Sequence, residues 1–273
     1  MRKIKGNART RTFRSGIIGI VLGVALGAQD VLASELSSNL SGDVIDLSVG
    51  IANPSNNAAI LENPAGLTNF RDEIVDVAGL LGSAGGPDFA GSLSSGSEHF
   101  GFGVGFERVA GNLGLSGAFA AGTGKFSIGI DTSFLIGMGS PTFDLGLRYD
   151  ADTITYALAL RNLVNFGQVW SFGLGVTPFK IFRVGFDFNF QSTTPIIGVN
   201  AVNIVGIGEF FESHKYSFRM SYGFGVIPAF IGSEPPFGLA LSYWFSKKVA
   251  AYASYNDYFV NYTFILGLKF DLS

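Results

Sequence analysis

The chain has 273 residues, of which 47% are hydrophobic and 14% charged, and it contains 38 glycines, 27 phenylalanines and no cysteine. An average soluble domain has roughly 25% charged residues and about 7% glycine, so this chain is unusually poor in charge and rich in glycine. Low hydrophobicity and high net charge are what keep a chain disordered, so disorder is excluded. A spanning helix needs about 20 consecutive apolar residues, whereas the longest candidate, residues 16–28, has 13.

The first 33 residues have the order of a secretory signal peptide. Six basic residues between positions 2 and 14 precede the apolar run, and Val31-Leu32-Ala33 follows it, which predicts cleavage after Ala33. The alternative, an N-terminal membrane anchor, is disfavoured because the run is too short to span. Cleavage leaves 12 basic residues against 20 acidic ones, which argues against a nucleic-acid partner.

Residues 34–70 differ in composition from the rest of the chain. They contain Asn53-Pro54, Asn56-Asn57 and the run Asn63-Pro64-Ala65-Gly66-Leu67. Asn-Pro favours the start of a turn, and glycine permits a left-handed backbone. We therefore predict a compact turn in this segment, ahead of a β-domain that covers residues 71–273.

From Phe100 onward the sequence alternates with the side-chain period of a β-strand. Phe182, Val184, Phe186, Phe188 and Phe190, for example, are separated by polar residues or glycine. Runs of about ten such residues suit strands that cross a membrane at a tilt. Twelve strands are predicted, at residues 73–82, 99–108, 113–121, 124–137, 142–151, 153–164, 168–177, 181–192, 215–226, 236–246, 248–256 and 260–272.

The strand count has an alternative. Residues 196–207 and 44–49 are candidates for two more strands, and an even number favours 12 or 14. Residues 83–98 and 226–236 are rich in glycine, serine and proline, so we predict that they are the longer loops.

The polar face of the strands distinguishes a membrane barrel from a soluble one. A soluble barrel faces water with many Lys and Glu residues, whereas this polar set is mostly glycine, serine and alanine. Its few charges are of both signs, as expected for an enclosed lumen where unpaired charge is costly. We predict that these charges form a structural ion-pair network, with a role in selectivity as the alternative. The charges are Glu107, Lys125, Asp131, Asp144, Arg148, Arg161, Arg183, Asp187, Arg219, Lys269 and Asp271.

Aromatic residues support the membrane assignment. Tyr149, Trp170, Tyr216, Tyr243 and Tyr262 lie on the apolar face, some near strand ends where interfacial girdles form. We predict an all-β fold, a transmembrane antiparallel β-barrel of 12 strands with 14 as the alternative, in the outer membrane of a Gram-negative bacterium. Its apolar face contacts lipid.

The residues that metal or acid–base catalysis requires are sparse. The chain has two histidines, His99 and His214, and no cysteine, so neither a catalytic triad nor a zinc site is predicted. Asp150-Ala151-Asp152 supplies too few oxygen ligands for calcium and is interpreted as a polar turn. We predict no enzymatic activity and no cofactor.

Two short motifs resemble those of a known family. Asn63-Pro64-Ala65-Gly66-Leu67 ahead of a barrel resembles the signature of the long-chain fatty acid transporter (FadL-type) superfamily, and residues 158–163 resemble a strand-end motif of its PorV-like branch. The resemblance implies that residues 34–70 form a plug-like segment, periplasmic or lumenal, that folds into the lumen as a hatch. It also implies that Asn63 to Leu67 contact a small hydrophobic ligand, which leaves through the barrel wall.

The predicted function is therefore passive binding or passage of small hydrophobic molecules. Two alternatives remain: a non-transporting barrel that serves as a scaffold or docking partner for envelope or secretion proteins, and a general water-filled porin. The last strand, with Phe270 on its apolar face, is the predicted contact for the barrel assembly machinery.

The membrane assignment is testable by fractionation. We expect the mature chain to remain in the membrane pellet after carbonate washing, because a transmembrane barrel is held by lipid contact rather than by surface charge. Mass spectrometry of the pelleted protein should give an N-terminus at Ser34. Release of the chain into the supernatant would instead indicate a soluble β-protein.

Overall fold

The computed structural model describes residues 51–54, 57–69, 73–82, 88–109, 112–136, 141–164, 168–179, 182–192, 199–212, 216–225, 237–258 and 261–273. The predicted signal peptide, residues 34–50 with the candidate strand at 44–49, and the predicted loop at 226–236 lie outside these ranges. In the part of the chain that is described, no helix is long and apolar enough to cross a membrane.

Fourteen antiparallel strands close into one barrel in simple chain order, and β1 pairs with β14. The strands are β1 (Glu73–Gly82), β2 (Asp88–Gly96), β3 (Phe100–Val109), β4 (Asn112–Gly122), β5 (Phe126–Leu135), β6 (Thr142–Ala151), β7 (Ile154–Arg161), β8 (Val169–Phe179), β9 (Phe182–Ser192), β10 (Val199–Glu212), β11 (Tyr216–Gly225), β12 (Phe237–Trp244), β13 (Val249–Tyr258) and β14 (Asn261–Asp271). Two short 3-10 helices, Ala58–Ile60 and Pro64–Asn69, precede β1.

The predicted all-β, antiparallel barrel is confirmed, and the strand count is the alternative value of 14. All twelve of the predicted strands are present, within a few residues at their ends. The candidate at 196–207 is present as β10, which begins at Val199 and extends to Glu212.

Strand β2 was not predicted, so the prediction that residues 83–98 form a loop is wrong for 88–96. Most residues of β2 are small, so the alternation of apolar and polar side chains is not visible in its sequence. On each face of the strand, the structure gives a physical reason for a small residue. On the outward face, a Cβ on Gly91 would meet the ring of Phe106 at 2.6 Å. On the inward face, the Ser94 hydroxyl donates a hydrogen bond to Asn57 Oδ1 in the segment before the barrel.

The two faces of the wall divide the side chains by size and polarity. On β3, Phe100, Phe102, Val104 and Phe106 are 44–60% exposed, whereas Glu107, which follows on the opposite face, is 6% exposed. Large apolar residues are exposed in the same way on most of the strands whose side chains are described. Such a surface is stable only in contact with hydrocarbon, so the fold is that of a transmembrane β-barrel with its polar face inward.

The connections at the two ends of the barrel differ in length. At one end every turn has two to four residues, and at the other the connections reach 7 residues at 162–168 and 11 at 226–236. Outer-membrane barrels have short turns on the periplasmic side. We refer below to the short-turn end and the long-connection end.

The outward face provides a depth-dependent test. Ile130→Arg places a charge on the outward face in the middle of β5, and it should lower the free energy of unfolding by about 2–4 kcal/mol, because hydrocarbon solvates a guanidinium poorly. Phe126→Arg, on the same face at the short-turn end of the same strand, should cost roughly 0–1 kcal/mol. Denaturant titration of barrels refolded in lipid vesicles measures both values, and equal costs would contradict the assigned faces.

Candidate functional site inside the barrel

The described residues before β1 lie against the inner face of the wall. We call residues 51–54 and 57–69 the inner segment. Its second 3-10 helix contacts β2 to β6, its first contacts β3 and β4, and Ile51 to Asn53 contact β8 at Gly173 and Gly175. Most of the inner segment, including Ile51, Ala58, Ile60 and Leu67, is fully or nearly fully buried.

The run Asn63 to Leu67 forms the tightly packed centre of the inner segment. The Asn63 side chain donates from Nδ2 to the carbonyls of Ile51 (2.8 Å) and Leu147 (3.4 Å) and accepts from Ala65 N (3.2 Å). Gly66 N donates to Asn63 O at 2.9 Å. A Cβ on Gly66 would collide with Pro54, so the glycine allows the two halves of the inner segment to pack together.

Two of the predicted lumen charges bind the inner segment directly. Asp187 Oδ2 accepts a hydrogen bond from Ile51 N at 3.0 Å. Arg148 donates from Nε to Ala52 O at 3.0 Å and from Nη1 to Asn69 Oδ1, while its Nη2 pairs with Asp150 at 3.1 Å. Both charges therefore bind the main chain of the inner segment and hold it in the lumen.

Hydroxyl and apolar contacts complete the attachment. Ser127 Oγ donates to Ala65 O at 2.9 Å, and Ser94 bonds Asn57 as described above. Leu67 and Ile60 join Ala118 and Ala120 of β4 in a buried apolar cluster. Sequence reasoning did not single out these serines, although each occupies an inward position of the two-residue period.

Inward glycines let the inner segment approach the wall. A Cβ at any of six of them would collide with the inner segment, and at Gly101 and Gly129 the obstructing atoms include its main chain. The six are Gly101, Gly103, Gly129, Gly146, Gly173 and Gly175. Part of the glycine excess in the composition is thereby explained by close backbone approach.

Other predicted lumen charges lie on the long-connection side of the inner segment. Asp131 and Asp144 are paired across β5 and β6 and, like Glu107, are buried. Asp144 Oδ1 accepts a hydrogen bond from Asn162 N at 2.7 Å, and Asn162 has a left-handed φ of 60°. That contact gives a structural reason for the Arg161-Asn162 strand end noted in the sequence.

Two predicted members of the network lie elsewhere. Lys125 is in the exposed turn before β5, where it pairs with Asp152 at 3.7 Å, because β5 begins one residue later. Asp271 ends β14 and accepts hydrogen bonds from Ser273.

Arg183 is on β9 and paired with Glu209 in the β9–β10 register. The side chain of Arg219, which pairs with Glu209 in the β10–β11 register, is not among those described.

Lys269 belongs to a cluster at the join between the first and last strands. Asp76 and Lys269 are cross-strand partners, Tyr252 donates to Asp76 Oδ1 at 2.7 Å, and Lys269 Nζ lies 5.3 Å from the centre of the Tyr252 ring. Neither Asp76 nor Tyr252 was singled out from the sequence. Asp76 stands on an inward position of β1, and that period-two position was the available signal.

The described residues offer no group of three or more His, Cys, Asp or Glu that is placed to hold a metal ion. His99 is exposed in the turn before β3, with Nδ1 3.3 Å from Gly122 O. The neighbouring Ser97 Oγ donates to Phe100 O at 2.9 Å. His214 lies outside the described residues.

Comparison with known proteins gives the architecture alone. The chain matches no family model and no curated protein. Solved structures with a similar barrel include a triple mutant of the porin from Rhodopseudomonas blastica (8% identity, TM-score 0.47, covering 74% of this chain and 99% of that one). The KdgM porin in complex with disordered oligogalacturonate is also similar (13% identity, TM-score 0.45, covering 73% and 99%).

These findings correct the assignment drawn from the two short motifs. The similar solved structures are porins, and no family model supports a FadL-type or PorV-like barrel, so that assignment is wrong. The Asn63 to Leu67 run has a local physical account instead, since it makes the compact turn that packs against the wall. In the described strands the hydrogen-bonded ladder is also continuous around the barrel.

The attachment of the inner segment can be tested with a thiol reporter, because the chain has no native cysteine. Ala59, which is fully buried, is replaced by cysteine, and maleimide labelling is followed by mass spectrometry. Adding Asn63→Ala should raise the labelling rate about tenfold or more, because unsatisfied buried polar groups cost about 1–3 kcal/mol each. Adding Asn112→Ala, at the barrel rim, should leave the rate unchanged; equal rates in both would contradict a retaining role for Asn63.

Proposed function

We propose that the protein is a passive channel for small polar solutes in the outer membrane of a Gram-negative bacterium, and that the inner segment narrows its lumen. The observation that carries the proposal is the burial of the inner segment against the inward faces of β2 to β6, β8 and β9. A segment fixed in this position occupies space that an open barrel would leave to water. Its seating therefore sets the size of the passage.

The chemistry of the inner face favours polar solutes. The described inward positions carry serine, glycine, alanine and buried charges such as Glu107, Asp131 and Arg148, whereas most large apolar side chains point outward to lipid. Polar donors and acceptors along a passage replace part of the hydration of a polar solute. An apolar ligand would gain little from this wall, so a hydrophobic substrate receives less support than a polar one.

The contacts of the inner segment permit a graded opening. Several of its attachments are single hydrogen bonds to strand side chains. Such a bond contributes about 0.5–1.5 kcal/mol net, or about 1.5–3 kcal/mol where the partner is charged, as at Asp187 and Arg148. When a contact to Asp187 or Arg148 opens, water solvates the freed carboxylate or guanidinium. Detachment there costs less than separation of Ile60 and Leu67 from their apolar cluster on β4. The channel can thus widen without opening the strand ladder.

A second candidate function is supported by the close packing at the inward glycines. Main-chain contacts at Gly101 and Gly129 leave no space between the inner segment and this arc of the wall. A barrel that stays closed in this way would serve as a scaffold or docking partner for other envelope proteins. The two candidates differ in whether ions pass.

Single-channel recording in planar bilayers separates them. Gly129→Leu places a side chain where Pro64 and Ala65 main-chain atoms now lie, so it should displace the inner segment and raise the conductance at least twofold over the unmodified protein. Gly117→Leu is the matched control, because that glycine faces outward with no atom within 4 Å of a Cβ. Its conductance should equal that of the unmodified protein.

Liposome swelling with a small sugar and an amino acid measures the passage of polar solutes. Swelling should be faster with the Gly129→Leu barrel than with the Gly117→Leu barrel. If none of the three proteins conducts ions or passes solute, while each is folded by heat-modifiable mobility on a gel, the channel proposal fails and the scaffold is favoured.

A further inference from the structure

An open groove of about 510 Å³ interrupts the outward face of the barrel where the first and last strands meet. Its outward-facing lining is Val77 and Gly79 of β1, Phe89 of β2, Phe106 of β3, Ala251 of β13, and Leu266 and Leu268 of β14. We call it the outer groove. Its volume lies within the range of about 300–1,000 Å³ that is typical of small-molecule sites.

The groove lies over Gly79, which no side chain covers. A Cβ built on this residue would have no atom within 4 Å. Two strands from β14, the outward Gly91 of β2 is in the opposite situation, because the Phe106 ring lies over it. The uncovered glycine therefore forms the floor of a depression between two higher surfaces.

Bulky side chains bound the groove on both sides. Phe89 and Phe106 pack edge to face with their ring centres 6.2 Å apart and are 42% and 44% exposed. Leu266 and Leu268 form the other side and are 60% and 42% exposed. The walls are thus hydrocarbon and aromatic, with no charged residue in the lining.

The wall behind the groove is well packed. The inward side chains of Ala78, Leu80, Ala90, Tyr252 and Ile265 form one buried apolar cluster. Tyr252 is also bonded to Asp76. The shape of the depression is therefore fixed by the same residues that join the first strand to the last.

We propose that the outer groove binds an acyl chain of a membrane lipid. The groove is continuous with the exposed apolar surface that contacts the bilayer, and it lies among mid-strand residues such as Val77 and Leu266, away from the polar ends. A flexible hydrocarbon chain fills a narrow concave surface of this kind, and its burial there removes the void that a packed interface avoids. A chain in this position is contacted on three sides, whereas a lipid on the convex wall is contacted on one.

The inference does not depend on the proposed channel, because the outer groove faces lipid and not the lumen. A failed conductance experiment would leave it intact. A failed lipid experiment would equally leave the channel proposal unchanged.

Native mass spectrometry of the full chain tests the site. The barrel is refolded in vesicles of palmitoyl-oleoyl phosphatidylethanolamine and phosphatidylglycerol, extracted in detergent and released in the gas phase. The unmodified protein should retain one phospholipid in most molecules. Gly79→Leu, which fills the floor, should reduce the retained fraction at least fivefold, and the matched Gly117→Leu should not change it.

Phe89→Ala supplies a second variant that removes one side of the groove without filling its floor, and it should also reduce retention. Heat-modifiable mobility confirms that each variant is folded. Equal retention by the unmodified protein and Gly79→Leu would overturn the proposal. So would a lipid-free dimer of the unmodified protein that Gly79→Leu separates, because the occupant would then be a second copy of the chain.

Discussion

The structure depends on one constraint, which is that no backbone donor or acceptor in contact with hydrocarbon can remain unpaired. A sheet of any strand number satisfies this constraint only when its first and last strands pair, and here β1 and β14 share nine paired positions from Ile74 to Gly82. The Asp76–Tyr252 hydrogen bond lies directly inside this join. Residues 176 positions apart in the chain are thus brought together at the place where closure happens.

Closure of the barrel also determines which type of side chain suits each strand position. Once the barrel is a cylinder, alternate side chains face two solvents of opposite character, lipid outside and a polar interior inside. The result is a protein whose exposed surface is apolar and whose buried residues include Asp, Glu, Arg, Ser and Asn. Burial in this molecule therefore identifies the inward face rather than a hydrophobic core. Two of the buried charges, Arg148 and Asp187, are bonded to main-chain atoms of the inner segment.

The sequence predicted the barrel because its strongest signal, period-two alternation with large apolar residues, is imposed by lipid along whole strands. It missed β2 because Gly91 is covered by a neighbouring ring and Ser94 serves the inner segment, so that neither face shows its usual residues. It identified Asp187 and Arg148 as inward charges but not their partners, because main-chain acceptors such as Ala52 O leave no trace in side-chain identity. The family resemblance failed for a related reason: a five-residue turn motif records a local packing need that unrelated barrels can share.

Inward glycines of the wall contact the inner segment, so whether a larger residue is tolerated at these positions depends on whether the inner segment is present. The three atoms nearest to a Cβ at Gly129 or Gly146 all belong to residues 63–65. In a chain that lacks those residues, the same substitution would lose its nearest obstructions. The wall and the inner segment are therefore expected to act as a suppressor pair: a substitution in one is harmful or neutral according to whether the other is present.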